Sequence, residues 1–106
     1  MGKNRDRLCI VADILEVAYS GASKTHIMFG ANLSFKLLEK YLGVAMNAHF
    51  LRVEGSRFVL TEQGQEFLRQ YRHFVERYAM AQQSLESLDG EREKLGLMCE
   101  VSKLSL

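Results

Sequence analysis

Apolar residues recur through residues 5–20, RDRLCIVADILEVAYS, at intervals of three and four. Leu8, Val11, Leu15 and Ala18 make one stripe, and Ile10, Ile14 and Val17 make a second beside it. A helix apolar on most of its circumference is buried by several partners. Gly21 stands where such a helix ends. Residues 24–30, KTHIMFG, read as a short second helix with Ser23 as its cap, and Asn32-Leu33-Ser34 as a turn and a fresh cap. A third helix follows over residues 35–48, with Leu38, Tyr41, Leu42, Ala45 and Met46 at helical spacing. Two helices joined by so short a turn form a helix-turn-helix.

The period then changes. Residues 50–64, FLRVEGSRFVLTEQG, alternate around Gly55-Ser56, which suits a two-residue hairpin loop that needs glycine first. With that loop, Glu54 faces Arg57, Val53 faces Phe58, Arg52 faces Val59 and Leu51 faces Leu60. Alternate pairs share a face, so Val53/Phe58 and Leu51/Leu60 fall on the core side, with Arg52, Glu54 and Arg57 on the wet side. Thr61 is a natural N-cap and Glu62 suits a first helical turn. Gly64 is expected to weaken that turn by about 1 kcal/mol relative to alanine.

The fourth helix is expected to run to about Leu88. Phe67, Tyr71, Phe74, Tyr78, Ala81, Leu85 and Leu88 alternate four- and three-residue steps, an unbroken heptad seam, and Leu68 and Val75 widen its first half. Asp89-Gly90 breaks the pattern; residues 91–106 fit either a short last helix (Leu95, Met98, Val101) or a frayed end. These elements predict an α+β, mostly helical fold. Residues 1–61 form a winged helix-turn-helix, three helices plus a β-hairpin wing, and residues 62–106 form a long C-terminal coiled-coil-like helix and tail for dimerisation.

Charge sharpens this picture modestly. The net charge of the 106 residues is +1, but residues 1–60 carry eight Lys/Arg against five acids, while residues 61–106 carry six against eight. A basic front and an acidic rear suit a first half that faces a polyanion. There is no apolar run of membrane-spanning length and no secretory signal pattern, so a cytoplasmic location is expected. Cys9 and Cys99 lie far apart and are read as reduced thiols rather than a metal site or a disulfide. His26, His49 and His73 sit in separate elements, without HExxH, CxxC, Walker A or GxSxG spacing. No enzyme and no cofactor are expected.

The run ADILEVAYSGASKTHIMFGANLSFKLLEKYL followed by FVLTEQGQEFL resembles archaeal winged-helix regulators of the ArnR-like family. Their shared pattern is a small-residue helix, K-T-x-I-M, N-L-S-[aromatic] and a wing ending in L-T-x-x-G, matched here over roughly residues 8–70. The fourth helix also resembles the tail of small archaeal chromatin-associated winged-helix proteins that dimerise through antiparallel coiled coils. The resemblance implies double-stranded DNA as the partner, with the third helix in the major groove and the wing alongside. His49 stands where related proteins commonly have a glycine leading out of the third helix.

A groove-facing helix offers its N-terminal residues to base edges. Here these are Ser34, Phe35 and Lys36 and, one turn on, Glu39 and Lys40. Lys36 and Lys40 share a face and suit guanine edges or phosphates. Phe35 suits either a thymine methyl or a core or interface contact. Lys24, Thr25 and His26 open the second helix, where backbone N–H groups favour phosphate. Arg52, Ser56 and Arg57 share the wet face of the wing, where Arg57 also faces Glu54 across the strands. Lys3, Arg5 and Arg7 make a basic arm or a disordered terminus.

Phe74, Tyr78, Ala81, Leu85 and Leu88 extend past the reach of so small a core, and their flanks carry few complementary charges. An antiparallel homodimer is therefore expected. The leading function is a dimeric DNA-binding transcriptional regulator. The alternatives are a winged helix used for protein–protein assembly and a chromatin architectural protein without sequence preference.

Overall fold

The computed structural model describes residues 5–104, with side chains described for residues 5–100. The elements run α1 (Arg7–Val17), α2 (Lys24–Gly30), α3 (Phe35–Asn47), β1 (Leu51–Glu54), β2 (Arg57–Leu60) and α4 (Glu62–Leu104). The chain divides into two compact units, one ending at Arg72 and one beginning at His73.

Each helix of the first unit starts on a side-chain cap, which satisfies N–H groups that have no partner inside the helix. Asp6 accepts from the Cys9 N–H, Ser23 from His26, Ser34 from Leu37, and Thr61 Oγ1 from Gly64 at 3.1 Å. The inward faces then meet in one core, where Ile14, Leu15, Ile27, Leu38 and Leu68 are fully buried. Phe50, Phe67 and Tyr71 close it with stacked rings at 4.8 and 6.0 Å.

The hairpin has the expected register, Leu51 opposite Leu60 through Glu54 opposite Arg57. Gly55 takes φ +65° at the first loop position, as a turn with glycine first requires. Ala22, before α2, exchanges two backbone hydrogen bonds with Phe58, at 3.0 and 2.8 Å. That bridge ties the wing to the α1–α2 connection. Burial along β1 departs from the expected alternation. Leu51 and Leu60 are buried, but Val53 is 53% exposed, because the strands leave the core before the loop.

The exit from α3 passes through His49, whose φ is +63°. Its carbonyl accepts a hydrogen bond from Thr61 Oγ1 at 2.5 Å, so the same threonine caps α4 and fastens the α3 exit. A left-handed conformation costs a Cβ-bearing residue about 1–2 kcal/mol, while glycine gains about 0.4–1 kcal/mol of unfolded-state freedom. His49→Gly is expected to stabilise the protein by up to about 1 kcal/mol. Urea melts should show a higher midpoint at unchanged slope; a lower midpoint would mean that the imidazole itself contributes.

The second unit is helix throughout its described length, and the break expected at Asp89-Gly90 is not there. An interior glycine costs a helix only about 1 kcal/mol, and strong helix formers (Glu91, Arg92, Glu93, Lys94, Leu95) follow at once. Phe74, Tyr78, Ala81, Leu85 and Leu88 are all exposed along this helix, with the Phe74 and Tyr78 rings 5.8 Å apart. Leu95 and Met98 continue the exposed apolar series. Residues 105 and 106, the end of the expected tail, lie outside the described residues, as does Lys3 of the basic arm.

Candidate nucleic-acid interface

The surface that could meet a duplex is built from the first turns of α2 and α3 and from the hairpin. In α3, Leu38, Leu42 and Ala45 are buried, which turns Phe35, Lys36, Glu39 and Lys40 outward. Phe35 is 62% exposed, so it belongs to the surface and not to the core. Ser34 is occupied as the cap, its Oγ accepting from Leu37 N–H at 3.2 Å. Lys40 lies with its Nζ 5.3 Å from the Tyr41 ring centroid, an attraction of cation to ring face. Lys36 is exposed and forms no ion pair among the described residues.

Lys24 belongs to a cluster that its position at the start of α2 did not announce. Its ammonium pairs with the Glu39 carboxylate of α3 and sits 5.4 Å from the centroid of Phe35. Thr25 and His26 beside it are exposed, with the His26 N–H already held by Ser23 Oγ at 3.1 Å.

The wing arginines are both engaged within the protein. Arg52 Nε donates to Glu54 at 2.8 Å along the same strand. Arg57 Nη2 donates 2.7 Å to the Gly21 carbonyl, across the bridge that joins the wing to the α1–α2 connection. The expected Arg57–Glu54 pair is thus replaced, because each partner has a better placed neighbour. Gly21 has φ +102°, and a Cβ on it would come within 3.3 Å of Arg57 Nε. Ser56, at the loop, is exposed.

Arg5 is a structural clamp where a basic arm was expected. Its guanidinium donates to Asp13 at 2.7 Å and to the carbonyls of Ala31 and Asn32 at 2.8 and 2.9 Å. It holds the start of α1 against the turn between α2 and α3, where helix-end carbonyls favour a cation. Arg72 forms a forked pair with Glu16 of α1, with contacts of 2.8–2.9 Å. Burial, a hydrogen bond with the Cys9 thiol and the nearby carboxylates of Asp6 and Asp13 push the Tyr71 phenol up to about 12. Cys9 and Cys99 are both free thiols.

A family model described as winged helix-turn-helix matches residues 4–81. The chain belongs to the winged helix-turn-helix family. Its fold is similar to that of Sso10a-2, a DNA-binding protein from Sulfolobus solfataricus, with a TM-score of 0.73 at 21% identity over 80% of this chain and 94% of that one. It is also 34% identical over 65 residues to an uncharacterized protein of Methanocaldococcus jannaschii, covering 60% of this chain. This winged helix-turn-helix chain spans 31% of the length of that curated relative. Among the described residues no helix is long and apolar enough to cross a membrane, and no group of His, Cys, Asp and Glu could hold a metal ion.

Proposed function

We propose that this winged helix-turn-helix protein is a dimeric, non-enzymatic DNA-binding regulator of transcription, of the archaeal ArnR-like kind, working in the cytoplasm. Residues 1–61 bind the duplex and residues 62–106 pair two chains through antiparallel helices. The observation that carries the reading is the N-terminal face of α3, which turns Phe35, Lys36 and Lys40 outward above buried Leu38 and Leu42. A helix offered in this way fits a major groove. Lys36 and Lys40 then contact bases or phosphates, Thr25 and His26 contact a flanking phosphate, and the wing runs along the backbone. Arg52 and Arg57 are exposed enough to keep N–H donors for phosphate while retaining their internal bonds. The fold likeness to a DNA-binding protein supports the same reading.

Pairing of two chains is supported by the exposed series Tyr78, Leu85 and Leu88, with Ala81 between them. An apolar strip of that kind is a liability unless covered.

The deciding experiment is a salt titration of affinity for a random duplex. Neutralising roughly 6–10 phosphates costs about 10³- to 10⁵-fold in affinity between about 50 and 200 mM salt. A steep linear fall of log affinity with log salt is expected. Absence of binding at low salt would instead favour a winged helix used for protein–protein assembly.

A further inference from the structure

We propose that Glu39 is a specificity-determining residue, accepting the exocyclic amino group of a cytosine in the major groove, while Phe35 packs on the methyl group of a nearby thymine. Lys24 is the positioning residue for both. The inference rests on the DNA-binding reading and turns it from general duplex binding into sequence reading.

The physical starting point is that Glu39 is on the wrong side for a protein that only grips DNA. It lies on the exposed face of α3 with Lys36 and Lys40. A carboxylate there is repelled by every phosphate nearby and lowers affinity for any sequence. What it can gain is a hydrogen bond from a base amino group. Cytosine presents such a donor in the major groove, whereas adenine sets its N7 acceptor beside its own donor and so repels a carboxylate. An acidic side chain on the groove face therefore lowers general affinity and raises discrimination.

Phe35 makes the complementary case. It is the first residue of α3 and one turn before Glu39. Four residues advance a helix about 6 Å, which spans about two steps of a duplex that rises about 3.4 Å per base pair. The two side chains thus address base pairs about two steps apart. An exposed ring has nothing to gain from phosphate, but it matches the apolar methyl that only thymine carries.

Lys24 joins the two. Its ammonium pairs with the Glu39 carboxylate and lies 5.4 Å from the Phe35 centroid. It reaches α3 from the first turn of α2, so the three groups are arranged before any duplex arrives. The pairing also offsets part of the repulsion between Glu39 and phosphate.

The test is selection of bound sequences from a randomised duplex by the full chain, followed by affinities for the winning site and its single-base variants. The expected motif contains a C·G column and, within about two steps, a T·A column. Each mismatch should weaken wild-type binding roughly 5- to 100-fold. Glu39→Ala should erase the cytosine preference alone and raise affinity for random duplex. Replacing the thymine by deoxyuridine should weaken the wild type and not Phe35→Ala. Lys24→Ala should blunt discrimination at both columns. A uniform loss of affinity with a shallower salt slope and intact discrimination would instead make Lys24 a phosphate contact and overturn its positioning role. Circular dichroism confirms that the variants are folded. If the wild type binds duplex tightly but selection returns no cytosine column, or Glu39→Ala keeps it, the inference falls and the DNA-binding reading stands. Failure of the wild type to bind any duplex at low salt removes both.

Discussion

Gly64→Ala is expected to lose roughly 2–4 kcal/mol of stability, although alanine is the better helix former. In an exposed helix the exchange would gain about 1 kcal/mol. Here a Cβ on Gly64 would lie 2.3 Å from the Phe50 carbonyl oxygen and 2.6 and 3.1 Å from Leu60 side-chain carbons. The oxygen cannot retreat easily, because it accepts the Thr61 N–H at 3.0 Å, the bond that joins the hairpin to the start of α4. Overpacking alone costs about 1–3 kcal/mol; disrupting the Phe50–Thr61 hydrogen bond adds about 1–3 kcal/mol, and the helix-propensity gain of about 1 kcal/mol offsets part of this. For a domain whose total stability is about 5–15 kcal/mol, the loss is large. Urea unfolding should show a much lower midpoint with little change in slope. A midpoint at or above that of the wild type would mean that α4 does not approach Phe50 so closely.

Gly64 also shows what the sequence could and could not reveal. The residue is recognisable as a poor helix former, but its necessity lies in a distance to Phe50 that no local pattern encodes. The hairpin was legible to the residue. A period of two around Gly55-Ser56 fixes the pairing, and any one-residue slip would expose Leu51 and Leu60. The exit through His49 was also legible, since the chain must turn there without a glycine and does so at φ +63°.

Charged side chains were the least legible part. Arg57 finds the Gly21 carbonyl, thirty-six positions away in sequence, in place of Glu54 beside it. Arg5 finds the turn carbonyls of Ala31 and Asn32, and Lys24 finds Glu39. Long flexible side chains choose partners from tertiary neighbours, which periodicity does not specify. The continuity of α4 through Asp89-Gly90 is different in kind: the local preference against helix there is worth only about 1 kcal/mol, which does not stop a long helix.

Leu85→Lys with Leu88→Lys is expected to convert the proposed dimer to a monomer and to weaken DNA binding by about 10²- to 10⁴-fold, the usual contribution of a second linked site. Both leucines are more than half exposed in the single chain, at 60% and 57%. Their substitution should therefore leave the melting of the winged domain unchanged. In a dimer four such side chains leave the interface. At about 1.5–3 kcal/mol for each buried leucine, the pairing loses at least about 6 kcal/mol, or about four decades in dissociation constant. Sedimentation at tens of micromolar should then show a single 12.1 kDa species. The salt dependence gives an independent check. Its slope counts phosphates neutralised, so a monomer that binds with one α3 and one wing should show about half the slope of the wild type. Monomeric wild type, or a double variant with the full slope, would place the duplex contacts within one chain and remove the need for pairing.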